Sequence, residues 1–295
     1  LITREKIFEK FPITQPYKDI FVVRPDLRSG DPYQAAAEML DVPWSKIEGI
    51  QAGLVVVDTI TAWAGTFREM SAEDDAFAGK SGNIRFGKGK HEFAMSGMGD
   101  YQAGQLLAQE LTTLAFEQEA HVVFCAHVGI EGKSKSKDSG LLTILRAGAA
   151  TTGGATVGTY GGQFDQYWRL KYKSAQDTDH LVCQLRGDAV YGAKHREDGV
   201  LPPRDVPLPN TLAEQRKFWL TRLKEADVEI GNEALKGYTR AMLYGEIGTG
   251  KTRLALSHPV RPVVYIAVDA NAQFLRSMYR ELKVPVEAEV LPSGT

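Results

Sequence analysis

The sequence predicts an α/β protein built on a mainly parallel central sheet with antiparallel additions, and three observations carry that prediction. Gly53-Leu54-Val55-Val56-Val57-Asp58 is a continuous apolar run of strand length, the pattern of a strand buried on both faces. Between Tyr101 and Glu119, Ala103, Leu106, Leu107, Leu111, Leu114 and Phe116 form a helical stripe, and a second buried run, His121-Val122-Val123-Phe124-Cys125-Ala126-His127, follows at once. Strand, helix, strand in that order is a βαβ unit. Near the other end, Arg240-Ala241-Met242-Leu243-Tyr244 reads as a buried strand that enters a glycine-rich turn, and Thr252-Arg253-Leu254-Ala255-Leu256 as the first turns of a helix.

Taken in order, residues 19–24 read as a strand, and Pro32 to Met39 as a helix with Asp31 as its cap and Pro32 at its first position. After the strand at 53–58, residues 64–100 are rich in Gly, Ser and charge and read as a long loop, a length that is usually functional or disordered. Residues 129–162 are again loop-like, from the Lys-Ser repeat to the glycine-rich stretch 147–162. Gln166–Tyr172 and His180–Gln184 alternate and read as two antiparallel strands across a turn at 174–179. Proline-rich Leu201–Pro209 reads as a linker, and Thr211 caps a helix running to about Ala226 in which Phe218, Trp219 and Leu220 read as core. Past the glycine-rich turn, Pro262–Val268 is a strand ending in Asp269, Ala272–Leu282 a helix and Val286–Leu291 a last strand.

At 295 residues, 43% hydrophobic and 24% charged, the chain has the composition of a soluble globular protein with ample length for a core. No apolar run approaches the roughly 20 residues that span a bilayer, so no membrane partner is expected, and the N-terminal stretch lacks the charged-then-apolar form of a signal peptide. Cys125 and Cys183 lie in apolar strand-like runs without metal spacing, which predicts buried free thiols in a reducing compartment. A net charge of −2 argues against a polybasic coat protein. Basic residues nevertheless cluster in two loops, at Lys80, Arg85, Lys88 and Lys90 and at Lys133, Lys135 and Lys137. Such loops suit a phosphodiester backbone, and they equally suit solvated surface.

Gly245-Glu246-Ile247-Gly248-Thr249-Gly250-Lys251-Thr252 fits the phosphate-binding pattern G-x-x-x-x-G-K-[ST] without a mismatch, with a strand before it and a helix after it. Its glycines let successive backbone N–H groups point inward and cradle phosphate oxygens. In that reading Lys251 reaches the β- and γ-phosphates of ATP and the Thr252 hydroxyl sits on Mg²⁺. Asp58, at a strand terminus, then holds the Mg²⁺ shell through water, although an Asp also commonly just ends a strand. Asp269 ends the strand after the phosphate-loop helix, where a carboxylate can orient and deprotonate an attacking water or serve as a cap. His127 ends the strand predicted beside that of Asp58; it reads as a γ-phosphate sensor or as a structural histidine. Lys194 and Arg196 lie one residue apart on one side of an extended segment, as an arginine finger given to a neighbouring subunit or as ordinary surface charge.

Through Tyr244–Thr252, Val264–Asp269, Leu54–Trp63, Tyr101–His127 and Tyr191–Asp198, the chain resembles the RecA-like ATPase superfamily, particularly hexameric replicative helicases of the plasmid RepA type and the RecA-like recombination ATPases of phages. The resemblance implies a three-layer fold and a cytoplasmic home in a bacterial or phage-infected cell. It implies a catalytic carboxylate after the phosphate-loop helix, usually Glu in the family and matched here by Asp269 or Asn271. It also implies a polar sensor at His127 followed by a loop that touches single-stranded DNA, and a Lys-x-Arg at Lys194 and Arg196.

The family order is phosphate loop, catalytic strand, Asp strand, sensor strand, Lys-x-Arg. Here the Asp strand comes first and the phosphate loop late, which is that order rotated. One circularly permuted domain accounts for it, with residues 1–200 supplying the Asp strand, sensor and finger, 201–235 a linker and helix, and 236–295 the phosphate loop. A fragment straddling two tandem domains, or a mis-ordered chain, are the other readings. The expected function is ATP hydrolysis coupled to single-stranded DNA binding through the loops around 80–90 and 129–155, in a homo-oligomeric ring or filament. The alternative is a P-loop kinase or nucleotide-dependent switch that does not act on DNA.

Overall fold

The computed structural model describes residues 3–17, 19–25, 31–73, 85–86, 93–94, 98–134, 142–149, 160–175, 178–188, 190–195, 203–224, 229–230, 233–234 and 238–268. Its helices are α1 (Arg4–Lys10), α2 (Pro32–Leu40), α3 (Ile60–Glu73), α4 (Met98–Phe116), α5 (Leu212–Lys224) and α6 (Lys251–Leu256). The strands are β1 (Ile13–Tyr17), β2 (Ile20–Val23), β3 (Leu54–Asp58), β4 (Arg85–Phe86), β5 (Phe93–Ala94), β6 (His121–Ser134), β7 (Leu142–Ala149), β8 (Gln166–Ala175), β9 (Thr178–Gln184), β10 (Asp205–Pro207), β11 (Glu229–Ile230), β12 (Glu233–Ala234), β13 (Arg240–Gly245) and β14 (Val263–Ala267). The main sheet runs β1-β2-β14-β3-β6-β13-β8-β9-β10, with β7 branching from β6; β4-β5 and β11-β12 are separate two-stranded ribbons.

Strands from the two ends of the chain interleave. β14 lies between β2 and β3 and is parallel to both, and β13 lies between β6 and β8, again parallel to both. Among the described residues of the main sheet, antiparallel pairing occurs at the margins, at β1 with β2, β8 with β9 and β9 with β10, and where β7 branches from the central strand β6. Each central strand is apolar at consecutive positions because both its faces are covered. Val55, Val57, Phe124, Met242, Tyr244, Val264 and Ile266 point into one core, which is closed by α2, α3 and α4 through Met39, Trp63, Phe67 and Leu111. Leu54, Val56, Val123, Cys125, Ala241, Leu243, Val263 and Tyr265 point the other way, into a core closed by α5 and α6 through Trp219 and Leu254. The indole N–H of Trp219 donates to the Leu254 carbonyl (2.7 Å), so α5 is fastened directly to the short helix after the glycine-rich turn. Both cysteines are buried free thiols, and burial pushes the Cys183 thiol well above its usual range.

Asp31 caps α2 by accepting from the Gln34 N–H (2.9 Å), with Pro32 at the first position. Three segments differ from their sequence reading. The region from 64 onward begins as helix: α3 runs to Glu73 because Ile60, Trp63, Ala64 and Phe67 recur at helical spacing and are fully buried. The Gly, Ser and charge that follow hid that stripe. The expected loop from 129 is instead a β6-β7 hairpin, paired from Val128↔Ala149 to Ser134↔Leu142. Its Gly-, Lys- and Ser-rich sequence lacks alternation, yet backbone pairing does not depend on side-chain pattern. The proline-rich linker also contributes β10 to the sheet edge, a place where Pro207 needs no ladder N–H. In α5, Phe218 and Trp219 are buried, whereas Leu220 turns outward and is 42% exposed. Among the described residues no helix is long and apolar enough to cross a membrane. The helix expected at 272–282 and the strand at 286–291 lie outside the described residues.

Candidate nucleotide site

The glycine-rich turn occupies the C-terminal end of β13, in the middle of the sheet. Gly245 pairs with His127 of β6 on one side and Leu170 of β8 on the other. A Cβ at Gly245 would fall 2.2 Å from the Leu170 carbonyl oxygen, so the close approach of β8 requires glycine there. Gly248 and Gly250 have φ of 83° and 75°, the left-handed conformation that lets the loop curl back over the strand. Thr249 closes the curl, its hydroxyl donating to the Glu246 carbonyl (2.8 Å). Ile247 stands at the crest, 84% exposed.

The Lys251 ammonium folds over this loop and donates to the carbonyls of Glu246 (2.9 Å) and Gly245 (3.1 Å). Thr252, the next residue, donates its hydroxyl to Oδ2 of Asp58 at 2.6 Å. The same oxygen accepts from the Tyr265 hydroxyl at 2.9 Å. Strand alternation explains the meeting. Asp58 shares the parity of Leu54 and Val56, facing the α6 side of the sheet, and Tyr265 in neighbouring β14 faces that side too. The Asp58 carbonyl also accepts from the Val268 N–H (2.8 Å), which ties the end of β14 to the end of β3. The start of α6 and strand β14, close to each other in sequence but distant from β3, thus converge on one buried carboxylate, only 4% exposed.

His127 has the parity of Val123 and Cys125, and so lies on the same sheet face as Asp58, beside Gly245. Its backbone N–H donates to the Thr61 hydroxyl near the start of α3 (2.9 Å). Lys194 is not brought to the loop. It bridges antiparallel to Tyr167, three positions back along β8 from the Leu170 that faces Gly245, and its ammonium donates to the Phe164 carbonyl (2.8 Å). Asp188 fixes the turn leading to Lys194: burial opposes its charge, but the N–H groups of Tyr191 and Val190, then Arg204 and Gln184, outweigh that and hold its carboxyl well below the usual range. Arg196, Asp269 and Asn271 lie outside the described residues. So do Lys80, Lys88, Lys90, Lys135 and Lys137; Arg85 and Lys133 are described in their backbone alone.

Tyr265 and Tyr172 were not legible as site residues. Tyr265 sits in an apolar strand and reads as core; its one signal is that a buried phenol needs a hydrogen-bond partner. Tyr172 donates to the Gly248 carbonyl (3.1 Å) from the end of β8 while remaining 53% exposed. The residues fit a Mg²⁺-nucleotide in donor chemistry: the Thr252 hydroxyl and Asp58 carboxylate are adjacent hard oxygens, and Lys251, the residue before Thr252, holds its ammonium on the loop carbonyls. Comparison of the chain with protein-family models, curated proteins and solved structures finds no match.

Proposed function

We propose that the chain is an ATPase of the RecA-like type whose hydrolysis is coupled to single-stranded DNA binding, as in phage- or plasmid-type recombination or replication. The observation that carries this reading is the 2.6 Å hydrogen bond from Thr252 to Asp58, which joins a phosphate-loop threonine, the residue after Lys251, to a strand-end carboxylate. The interleaving of β13 and β14 among the strands of residues 1–200 supports one permuted domain over a fragment of two.

In this proposal the backbone of Gly245–Thr252 cradles the phosphates, and Lys251 leaves its loop carbonyls to reach the β- and γ-oxygens. Thr252 and Asp58 would hold Mg²⁺, whose role is to neutralise charge on the phosphates. Tyr265 keeps the Asp58 carboxylate oriented by donating to Oδ2. Asp269 is assigned as the base that orients and deprotonates water. His127 reads the γ-phosphate and relays its loss into the β6-β7 hairpin that continues from its own strand. Arg196, with Lys194 before it, is offered to a neighbouring subunit in a ring or filament.

The test is the ATP hydrolysis rate with and without single-stranded DNA for the wild type, Lys251→Ala and Arg196→Ala. The expected result is stimulation by DNA, abolition by Lys251→Ala and strong loss with Arg196→Ala. Hydrolysis that needs Lys251 but ignores DNA would point to a kinase or switch; a rate untouched by Arg196→Ala removes the finger.

A further inference from the structure

The β8-β9 hairpin runs past the glycine-rich turn, and one of its side chains holds that turn by the backbone. Leu170 of β8 pairs with Gly245 where the turn begins, and Tyr172, two residues on and on the same face, reaches the crest. Its phenol donates to the Gly248 carbonyl (3.1 Å). Leu181 lies directly opposite Tyr172 on β9, and a Cβ at Gly250 would fall 3.5 Å from its Cδ2, so the hairpin flanks the turn at two of its glycines. Packing does not fix the crest: among the described residues a Cβ at Gly248 would meet nothing within 4 Å, and Ile247 before it is exposed. Tyr172 itself is half exposed and belongs to neither core.

The Gly248–Thr249 peptide is trans, and in a trans peptide the C=O and the N–H that follows it point in opposite directions. A phenol that holds the Gly248 carbonyl outward therefore turns the Thr249 N–H inward, into the loop. There it meets the Glu246 carbonyl at 3.4 Å. The same oxygen accepts from the Thr249 hydroxyl at 2.8 Å and from the Lys251 ammonium at 2.9 Å, so the Thr249 N–H is the longest of three donors on it. A bond that long is the one most easily given up to an incoming oxygen. In the proposed ATP-bound state Lys251 leaves its two loop carbonyls, and the loop loses those ties. The Tyr172 bond lies on the outer side of the crest and need not break.

We propose that Tyr172 is a positioning residue of the phosphate loop: its phenol holds the Gly248–Thr249 peptide in the orientation that presents the Thr249 N–H to a bound phosphate. The contact serves any oligophosphate, with or without a nucleoside, because the N–H it orients faces the phosphates alone. The inference rests on the phosphate-loop reading and deepens it, by adding a residue outside the G-x-x-x-x-G-K-[ST] pattern that sets how well the loop binds. Without the phenol, orientations that turn the Thr249 N–H away compete with the binding shape, and apparent affinity falls with the fraction of the loop that keeps that shape.

The test measures equilibrium binding of inorganic tripolyphosphate and of ATP, each with Mg²⁺, to the full chain by calorimetry, for the wild type, Tyr172→Phe and Lys251→Ala, each below its own unfolding transition. Tyr172→Phe keeps the ring and removes the donor. It should weaken both ligands by the same factor, about two- to fivefold, the net worth of a neutral hydrogen bond that is partly in water. Lys251→Ala should weaken both far more. Both affinities intact in Tyr172→Phe, whether or not its unfolding midpoint falls, would make the phenol merely structural and overturn the proposal. Loss confined to ATP overturns it too, because the hydroxyl then serves the nucleoside rather than the loop. In either case the phosphate-loop reading stands if Lys251→Ala loses tripolyphosphate. A wild type that binds neither ligand removes that reading and the positioning role together.

Discussion

Replacing Tyr265 with Phe removes one hydroxyl and leaves the ring in place. That hydroxyl is the donor at 2.9 Å to Oδ2 of Asp58, and both residues are buried. A hydrogen bond to a charged group contributes about 1.5–3 kcal/mol. Thr252 still donates to the same oxygen, at 2.6 Å, so the carboxylate keeps a partner and the lower half of that range applies, roughly 2 kcal/mol. In a domain of this size each kcal/mol moves the melting temperature by about 2–4 °C, so Tyr265→Phe should lower it by roughly 4–8 °C. Urea unfolding followed by circular dichroism should show a reduced midpoint with an unchanged slope. A double-mutant cycle with Asp58→Asn should return a coupling of about 1–2 kcal/mol, because the two residues share the bond. A coupling indistinguishable from zero, or a loss below about 0.5 kcal/mol, would refute the inference that β14 and β3 meet at this carboxylate.

Gly245→Ala should cost about 1–3 kcal/mol, since its Cβ would press on a backbone carbonyl of β8 that cannot rotate away; Gly162→Ala, with open space around it, should be neutral in the same unfolding assay. His258 is held well below its usual pKa by burial first and then by His121, Arg261 and Arg216. Its folded form resists a proton that the unfolded chain accepts below about pH 6.5. Stability from this site is therefore full above that pH and falls as pH drops below it, by up to about 1.4 kcal/mol per pH unit, and His258→Gln should flatten the profile. Asp188 is depressed as well, so its contribution is present above about pH 3.9 and lost as pH falls further. The midpoint difference between wild type and Asp188→Asn should accordingly shrink on going from pH 5 towards pH 2.

Much of the site was legible because its signals are local. The glycine-rich turn needs left-handed φ at Gly248 and Gly250, and only glycine meets that need cheaply, so the pattern is written in consecutive residues. β3, β6, β13 and β14 are buried on both faces and therefore appear as unbroken apolar runs. What escaped depends on partners. The role of Tyr265 exists only because β14 inserts beside β3, a pairing made across more than two hundred residues. The β6-β7 hairpin is held by backbone hydrogen bonds that leave no alternation in Gly-Lys-Ser sequence. Lys194 reads as a cation for a neighbouring subunit, and only the structure reveals that its ammonium also donates to the Phe164 carbonyl.

The central claim is that Lys251 and Asp58 serve one Mg²⁺-nucleotide. Its most direct test is equilibrium binding of a fluorescent ATP analogue, titrated with Mg²⁺, to the wild type, Lys251→Ala and Asp58→Ala. The account predicts that Mg²⁺ strengthens binding to the wild type, that Lys251→Ala weakens binding with or without the metal, and that Asp58→Ala removes the Mg²⁺ dependence while leaving metal-free binding nearly intact. An undiminished Mg²⁺ dependence in Asp58→Ala would contradict it.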